Sequence, residues 1–248
     1  MRNARRSHSD DTRSVRDEAG YNQGWTGGSS TRIREERRAE LMLSKMAADS
    51  SRSVLEIGCG RGEIARHLAA KSGMQVLGVD RSEGFVREAN LKALGTNAHF
   101  EVLDFTRPED ILGRRFNYVV GNGILHHLYY NLPASLQAIR RLLTDDGKII
   151  FLEPNLHNPY VYLIFSRTAL RRRARLEPDE MAFSRGFAIE RLREAGFRDI
   201  EVAYRDFLIP GVPDWAIRPL VEFGEIAESM PGIKHLSQSL FISASIAR

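Results

Sequence analysis

"VLEIGCGRG", residues 54–62, decides how the rest of the chain is read. "SVLEIG" (53–58) has the look of a short buried strand. The glycines that follow turn the chain into "GEIARHLAAKSG" (62–73), a helical stretch closed by Gly73. Without a Cβ at Gly58, Gly60 and Gly62, backbone can approach a ligand closely, and a helix start behind the loop offers unpaired N–H groups. A dinucleotide fingerprint would need glycine at the sixth position of G-x-G-x-x-G. Glu63 stands there instead. A carboxylate aimed at a pyrophosphate repels it, which argues against a nicotinamide cofactor.

Working outward, strand-like and helix-like segments alternate. "QVLGVD" (75–80) reads as a strand, "SEGFVREANLKALG" (82–95) as a helix capped by Ser82 and stopped at Gly95. Strands follow at 99–105 and 116–123, a helix at 132–147 and a strand at 148–154. Beyond Pro154, "VYLIFSRTALRRRAR" reads as a helix, "FAIERLREAGF" (187–197) as an amphipathic helix, and 199–207 and 239–247 as strands. This alternation predicts an α/β fold with a mostly parallel sheet and helices on both faces. A ligand crevice then lies at the carboxyl ends of the strands. The stretch 208–238, with four prolines, is too long for a hairpin turn, so something is built there. Residues 1–30 are polar and read as a flexible arm, and "TRIREERRAELMLSKM" from Thr31 reads as a surface helix leading into the domain.

Three carboxylates surround the glycine loop. Asp80 closes the second strand, where it can accept from both hydroxyls of a ribose, and Asp104 closes the third. Glu56 sits inside an apolar strand, where an unpaired carboxylate is costly unless a cation or donor meets it. Such a set suits a nucleoside carrying positive charge rather than phosphates.

Composition narrows the classes. The 248 residues are 42% hydrophobic and 27% charged, with mean hydropathy −0.33, a profile of globular proteins. The net charge of +4 is too small for a dedicated nucleic-acid surface, so no nucleic-acid partner is expected. One cysteine, Cys59, leaves no intrachain disulfide and no cysteine-rich zinc site. The absence of a secretory leader or an 18-residue apolar stretch is read as a cytoplasmic setting.

The chain resembles the class I S-adenosylmethionine-dependent methyltransferases of small-molecule type. The resemblance runs from Val54 to Asn155 and rests on "E-x-G-x-G-x-G" at Glu56, Gly58, Gly60 and Gly62, on Asp80, on Asp104 with Phe105, and on "VVGNGILHHL" (119–128). "RRLLTDDGKIIFLEPN" (140–155) resembles the family's helix, turn and fifth strand, although "TDDG" departs from its usual turn. The resemblance implies a Rossmann-like sheet of seven strands with the last one antiparallel, and S-adenosylmethionine as cofactor. It implies that the glycine loop, Cys59 included, and Asn122 meet the methionine part. By the same token Asp80 meets the ribose and Asp104 with Phe105 the adenine, and Arg81 is a further candidate for cofactor binding. "NGIL" after the fourth strand is unlike the motif of enzymes that methylate base amino groups. A non-catalytic binding protein on the same fold is the alternative from another class.

For catalysis two residues stand out. His127 is a candidate general base, its alternative being a structural histidine; Glu153, at the end of the fifth strand, either receives a substrate hydroxyl or amine or caps a segment. His126 and His127 make a weak metal signal, since adjacent side chains diverge and no third ligand is evident, so no metal is expected. The cluster Arg167, Arg171, Arg172, Arg173 and Arg175 reads as a solvated helix face, the sharper alternative being contact with a membrane surface or an anionic substrate, and with it methylation of a lipid-linked or glycan acceptor there. Aromatics such as Tyr160, Tyr162, Phe165, Phe183 and Trp215 mark 156–183 and 208–238 as substrate-cap segments. Tyr21 and Trp25 are candidates for a cofactor cover. The expected acceptor is a small molecule, a hydroxyl on an apolar or aromatic metabolite.

Overall fold

The computed structural model describes residues 28–107, 111, 113–174, 176–208 and 211–246. Tyr21, Trp25, Arg175 and most of the expected arm lie outside the described residues. One seven-stranded sheet carries the fold, in the order β3-β2-β1-β4-β5-β7-β6. Its strands are β1 (Ser53–Ile57), β2 (Gln75–Asp80), β3 (Ala98–Val102), β4 (Phe116–Asn122), β5 (Leu143–Pro154), β6 (Phe197–Arg205) and β7 (Ser239–Ile246). The first five run parallel; β7 slots between β5 and β6, antiparallel to both. That is the Rossmann-like methyltransferase sheet implied by the sequence resemblance.

Period-two alternation feeds two cores. Leu55, Ile57, Val119, Ile149 and Phe151 point to one face, Val54, Tyr118, Val120, Ile150 and Leu152 to the other. The second face is covered by α1 (Ser29–Leu43), α2 (Glu63–Ser72) and α3 (Glu83–Lys92), through Met42, Ile64, Leu68, Val86 and Ala89. The first is covered by α4 (Leu132–Arg141) and α7 (Arg185–Glu194), through Leu136, Ile139, Ala188 and Leu192. Between them come α5 (Pro159–Ser166) and α6 (Thr168–Arg173), and α8 (Asp214–Ser229) precedes β7. Ser82 caps α3 as expected, its hydroxyl accepting from Phe85 N at 3.2 Å.

Several boundaries differ from the sequence reading. The helix expected over 132–147 ends at Arg141, and β5 already begins at Leu143, with a register shift before regular pairing resumes at Lys148. The helix expected through "VYLIFSRTALRRRAR" breaks at Arg167, which is extended (φ −106°, ψ 115°) and splits it into α5 and α6. The 208–238 stretch is built mainly as α8 and the 3-10 turn Ile233–Leu236.

Helix α1 is not a plain surface helix. Arg34 and Arg38, one turn apart, converge on the buried Asp206 after β6: Arg34 Nε donates at 2.9 Å and Arg38 Nε and Nη2 at 2.9 and 2.7 Å, all to Oδ2. Arg38 also donates to Ser239 Oγ at 2.8 Å and to Asn122 Oδ1 at 2.6 Å. One guanidinium therefore joins α1 to the ends of β4 and β6 and the start of β7. Burial opposes charge on Asp206, yet Arg38 and Arg34 hold its carboxyl below the usual range. Removing its charge should leave two guanidinium groups uncompensated. Asp206→Asn, which tolerates the left-handed backbone there (φ 75°), is expected to lower stability in urea by about 3 kcal/mol. Because the carboxyl pKa is depressed on folding, this contribution is present above an unfolded value near ~3.9 and fades as pH falls through the folded one.

Candidate functional site

Sheet order reverses between β1 and β4, and the crevice expected at such a switch point opens there. A cavity of about 410 Å³ lies at the carboxyl ends of the strands. It brings together Glu56, Gly58, Cys59 and Gly60 from the glycine loop, Asn122 after β4, and His127 and Glu153. Gly62, Asp80, Arg81, Asp104 and Phe105 are not on its wall.

The glycines divide their roles. Gly60 has φ +51° and open space where a Cβ would stand, so a ligand can lie against its backbone. A Cβ on Gly58 would meet Ile124 at 2.7 Å, and one on Gly62 would meet the Phe100 ring at 2.4 Å. Gly62, expected to line the ligand, instead lets α2 start against the sheet. Asp80 stands behind the loop: Oδ2 accepts from Gly60 N at 2.8 Å and Oδ1 from Ser82 N at 3.0 Å. Asp104 is engaged locally, Oδ1 accepting from Thr106 N at 3.0 Å and Oγ1 at 2.6 Å, with Arg81 3.8 Å from Oδ2. Phe105 belongs to the core.

Buried acidity characterises the loop side. Glu56 is 2% exposed; Oε2 accepts from Ala65 N at 2.9 Å, and no hydrogen-bond partner for Oε1 is found among the described residues. Burial pushes its carboxyl well above the usual range, and burial also raises Asp80. Glu35 and Glu63 line the same wall, Glu63 paired with Lys92 at 2.7 Å. Burial, with the Glu56 and Asp80 carboxylates, pushes the Cys59 thiol up, so it is a packing residue rather than a nucleophile.

The opposite wall is built on two further carboxylates. Glu153, 1% exposed, is fully occupied: Oε1 accepts from Ile124 N (3.1 Å) and Leu125 N (2.8 Å), Oε2 from His126 N (3.1 Å) and Nδ1 (2.9 Å). It pins the start of the 3-10 helix Leu125–Asn131, which carries both histidines. Glu180, absent from the sequence expectations, is buried against His127, with Oε1 3.1 Å from Nδ1. Burial pushes its carboxyl up, but the His127 hydrogen bond and charge bring it below the usual range. Arg171 holds its loop, donating from Nη2 to the Glu177 and Glu180 carbonyls at 2.6 and 3.0 Å. Arg171 is thus a structural clamp and not part of a solvated face.

The adjacent histidines do not diverge. Their ring centroids are 4.2 Å apart, and ligating atoms of His126, His127 and Glu180 all lie within 4.8 Å of one another, a donor set able to hold a divalent ion. Between these walls, α5 lines the cavity with Tyr160, Val161, Ile164 and Phe165. Among the described residues of the second expected cap segment, only Gln238 reaches the wall.

Residues 31–202 match a family model described as a methyltransferase domain. An uncharacterized methyltransferase of Staphylococcus carnosus (strain TM300) is 31% identical over 115 residues, 45% of this chain and 52% of that protein. The S-adenosyl-L-methionine-dependent Diels-Alderase iccD of Talaromyces variabilis is 29% identical over 178 residues, 66% of this chain and 59% of that protein. The chain thus spans between half and three fifths of the lengths of these two relatives. The crystal structure of a SAM dependent methyltransferase from Archaeoglobus fulgidus shares the fold, with a TM-score of 0.63 at 19% identity over 91% of this chain and 97% of that one.

His126 gives a pH test of this wall. Burial and the neighbouring His127 lower its pKa from 6.5, so folding favours the neutral ring. A base with a depressed folded pKa stabilises fully above the unfolded value, and that contribution is lost as pH falls below it. Urea stability should drop between pH 7.5 and 5.5, and His126→Asn should flatten that drop.

Proposed function

The chain belongs to the class I S-adenosylmethionine-dependent methyltransferases, and from that premise we propose that it methylates a hydroxyl on an apolar or aromatic small molecule, with His127 as the catalytic base. The observation that carries this reading is one cavity with a buried, underused carboxylate on its glycine wall and a histidine–carboxylate pair on the other.

The residues fit the cofactor. Glu56, desolvated and with one oxygen turned to no described partner, suits a ligand ammonium, and open space over Gly60 receives the aminoacyl chain. Asp80 fixes the Gly60 amide from behind the loop, and the family resemblance supports giving it the ribose. When bound, S-adenosylmethionine supplies a methyl on a positively charged sulfur that leaves as a neutral thioether. The protein's own task is alignment and proton removal. With Nδ1 donating to Glu180, the lone pair of His127 is on Nε2, the atom that takes the acceptor's hydroxyl proton. Glu180 is a positioning residue that fixes this tautomer, and Arg171 fixes Glu180. Glu153, expected as a second catalytic group, is here assigned to holding the histidine segment. Apolar side chains of α5 receive the acceptor body.

Calorimetry tests the cofactor first. S-adenosylmethionine should bind, NADH should not, and Asp80→Ala should weaken binding by roughly tenfold to a hundredfold, the worth of charge-assisted hydrogen bonds. Because burial raises the Glu56 carboxyl well above its usual range, a cationic group bound beside it should lower that pKa again, and cofactor binding should release protons as pH falls into the raised range, seen as a buffer-dependent binding enthalpy that Glu56→Gln removes. Wild-type protein that folds yet binds no cofactor would sink the proposal in favour of a non-catalytic binding protein.

Turnover tests the base. His127→Ala should lower kcat by about two to four orders of magnitude with cofactor affinity retained. Glu180→Gln should fall between this variant and wild type and displace the pH–rate profile. Chelators should leave the rate unchanged; loss of activity with EDTA, restored by a divalent ion, would instead assign His126, His127 and Glu180 as metal ligands.

A further inference from the structure

Helix α5 carries apolar side chains on two opposite faces. Val161, Ile164 and Phe165 face the cavity, whereas Tyr162 and Leu163 are 53% and 45% exposed. Leu170 on α6, which packs against α5, is 37% exposed. Arg167, between the two helices, and Arg172 and Arg173, on α6, are exposed, and no side-chain partner for them is found among the described residues. The arginine run is therefore split: Arg171 is spent inside the fold, and its neighbours are left outside with the apolar groups.

We propose that α5 and α6 form a docking surface for an anionic lipid bilayer, which presents an acceptor with an apolar tail at the cavity mouth. The inference rests on the reading of the cavity as an acceptor site. Isolated exposed apolar residues need no explanation, but here aliphatic, tyrosyl and guanidinium groups share two consecutive short helices. Tyrosine suits the headgroup level, aliphatic tips the acyl boundary, and arginines the anionic surface. The contact is peripheral, since no described helix is long and apolar enough to cross a membrane. A nucleic acid would use the arginines but has no use for Leu163 and Leu170. A symmetric second copy would set like charges against each other.

The test is sedimentation of the full chain with vesicles of phosphatidylcholine alone or mixed equally with phosphatidylglycerol. Binding should be at least tenfold tighter to the anionic vesicles and weaken in high salt. Neutralising Arg167, Arg172 or Arg173 singly should cost about fivefold each. Leu163→Ser with Leu170→Ser should weaken binding at both salt concentrations. Calorimetric affinity for S-adenosylmethionine should be unchanged in all these variants, which also reports that they fold. Wild-type protein that ignores anionic vesicles overturns the proposal, whatever its cofactor affinity. So does full competition by a single-stranded RNA combined with insensitivity to the leucine substitutions, which marks a polyanion site. Concentration-dependent dimerisation abolished by the same substitutions overturns it in favour of a second copy. Vesicle binding without cofactor binding would leave the docking surface standing and remove the methyltransferase reading.

Discussion

The site depends on the carboxylate of Glu153. Four N–H donors converge on it from Ile124, Leu125 and His126. A buried charge without such partners would be untenable, and removing any of them would leave the rest short. The end of β5 and the segment after β4 are thereby locked as one piece. Strand pairing sets the strand ends only to within the freedom of a loop; this carboxylate removes that freedom. His127 then has one place to be, and Met181 N donating to the His126 carbonyl at 3.1 Å brings the Glu180 loop to the same place.

Carboxylates do opposite things around this cavity because their donors differ. Glu153 has all its lone-pair directions filled and is a strut. Glu180 has a histidine at 3.1 Å and orients it. Glu56 has burial with one N–H donor, from Ala65, and its pKa is raised. Asp206 has two guanidinium groups and sits below the usual range. Residue type is the same acid chemistry in each case; the number of N–H groups within reach decides the role.

Legibility in the sequence followed range. Local patterns carried far: the alternation of Val54 to Ile57, the glycines, Ser82 as a cap and Asp80 at a strand end are read from neighbours in the chain, and the sheet follows from them. The Arg34–Asp206–Arg38 cluster was not legible, because Asp206 is 168 residues from Arg38 and a helix rich in arginine and glutamate looks solvated. One signal was present: Arg34, Arg38 and Met42 fall on one helical stripe, and Met42 is fully buried. Glu180 gave no signal at all, since nothing in the pattern of Glu177, Asp179 and Glu180 around Pro178 singles out one acid from the others. Glu153 was visible as a residue at the ligand edge, but its use there depends on backbone amides that sequence does not show.

The arginine run shows how one break changes function. As a continuous helix, residues 161–173 would spread Arg167, Arg171, Arg172 and Arg173 around the cylinder at ~100° steps and give a plain charged surface. The extended backbone at Arg167 ends α5 after two turns and restarts the chain in a new direction. Arg171 is thereby turned toward the Phe165 carbonyl at 3.0 Å and the Glu180 loop, and its neighbours are turned away from it. The same break shortens α5 enough that Phe165 can close the cavity while Leu163 stays outside. The α5 wall of the cavity, the loop that carries Glu180 against His127 and the exposed basic–apolar surface are consequently joined through Arg171 and α5.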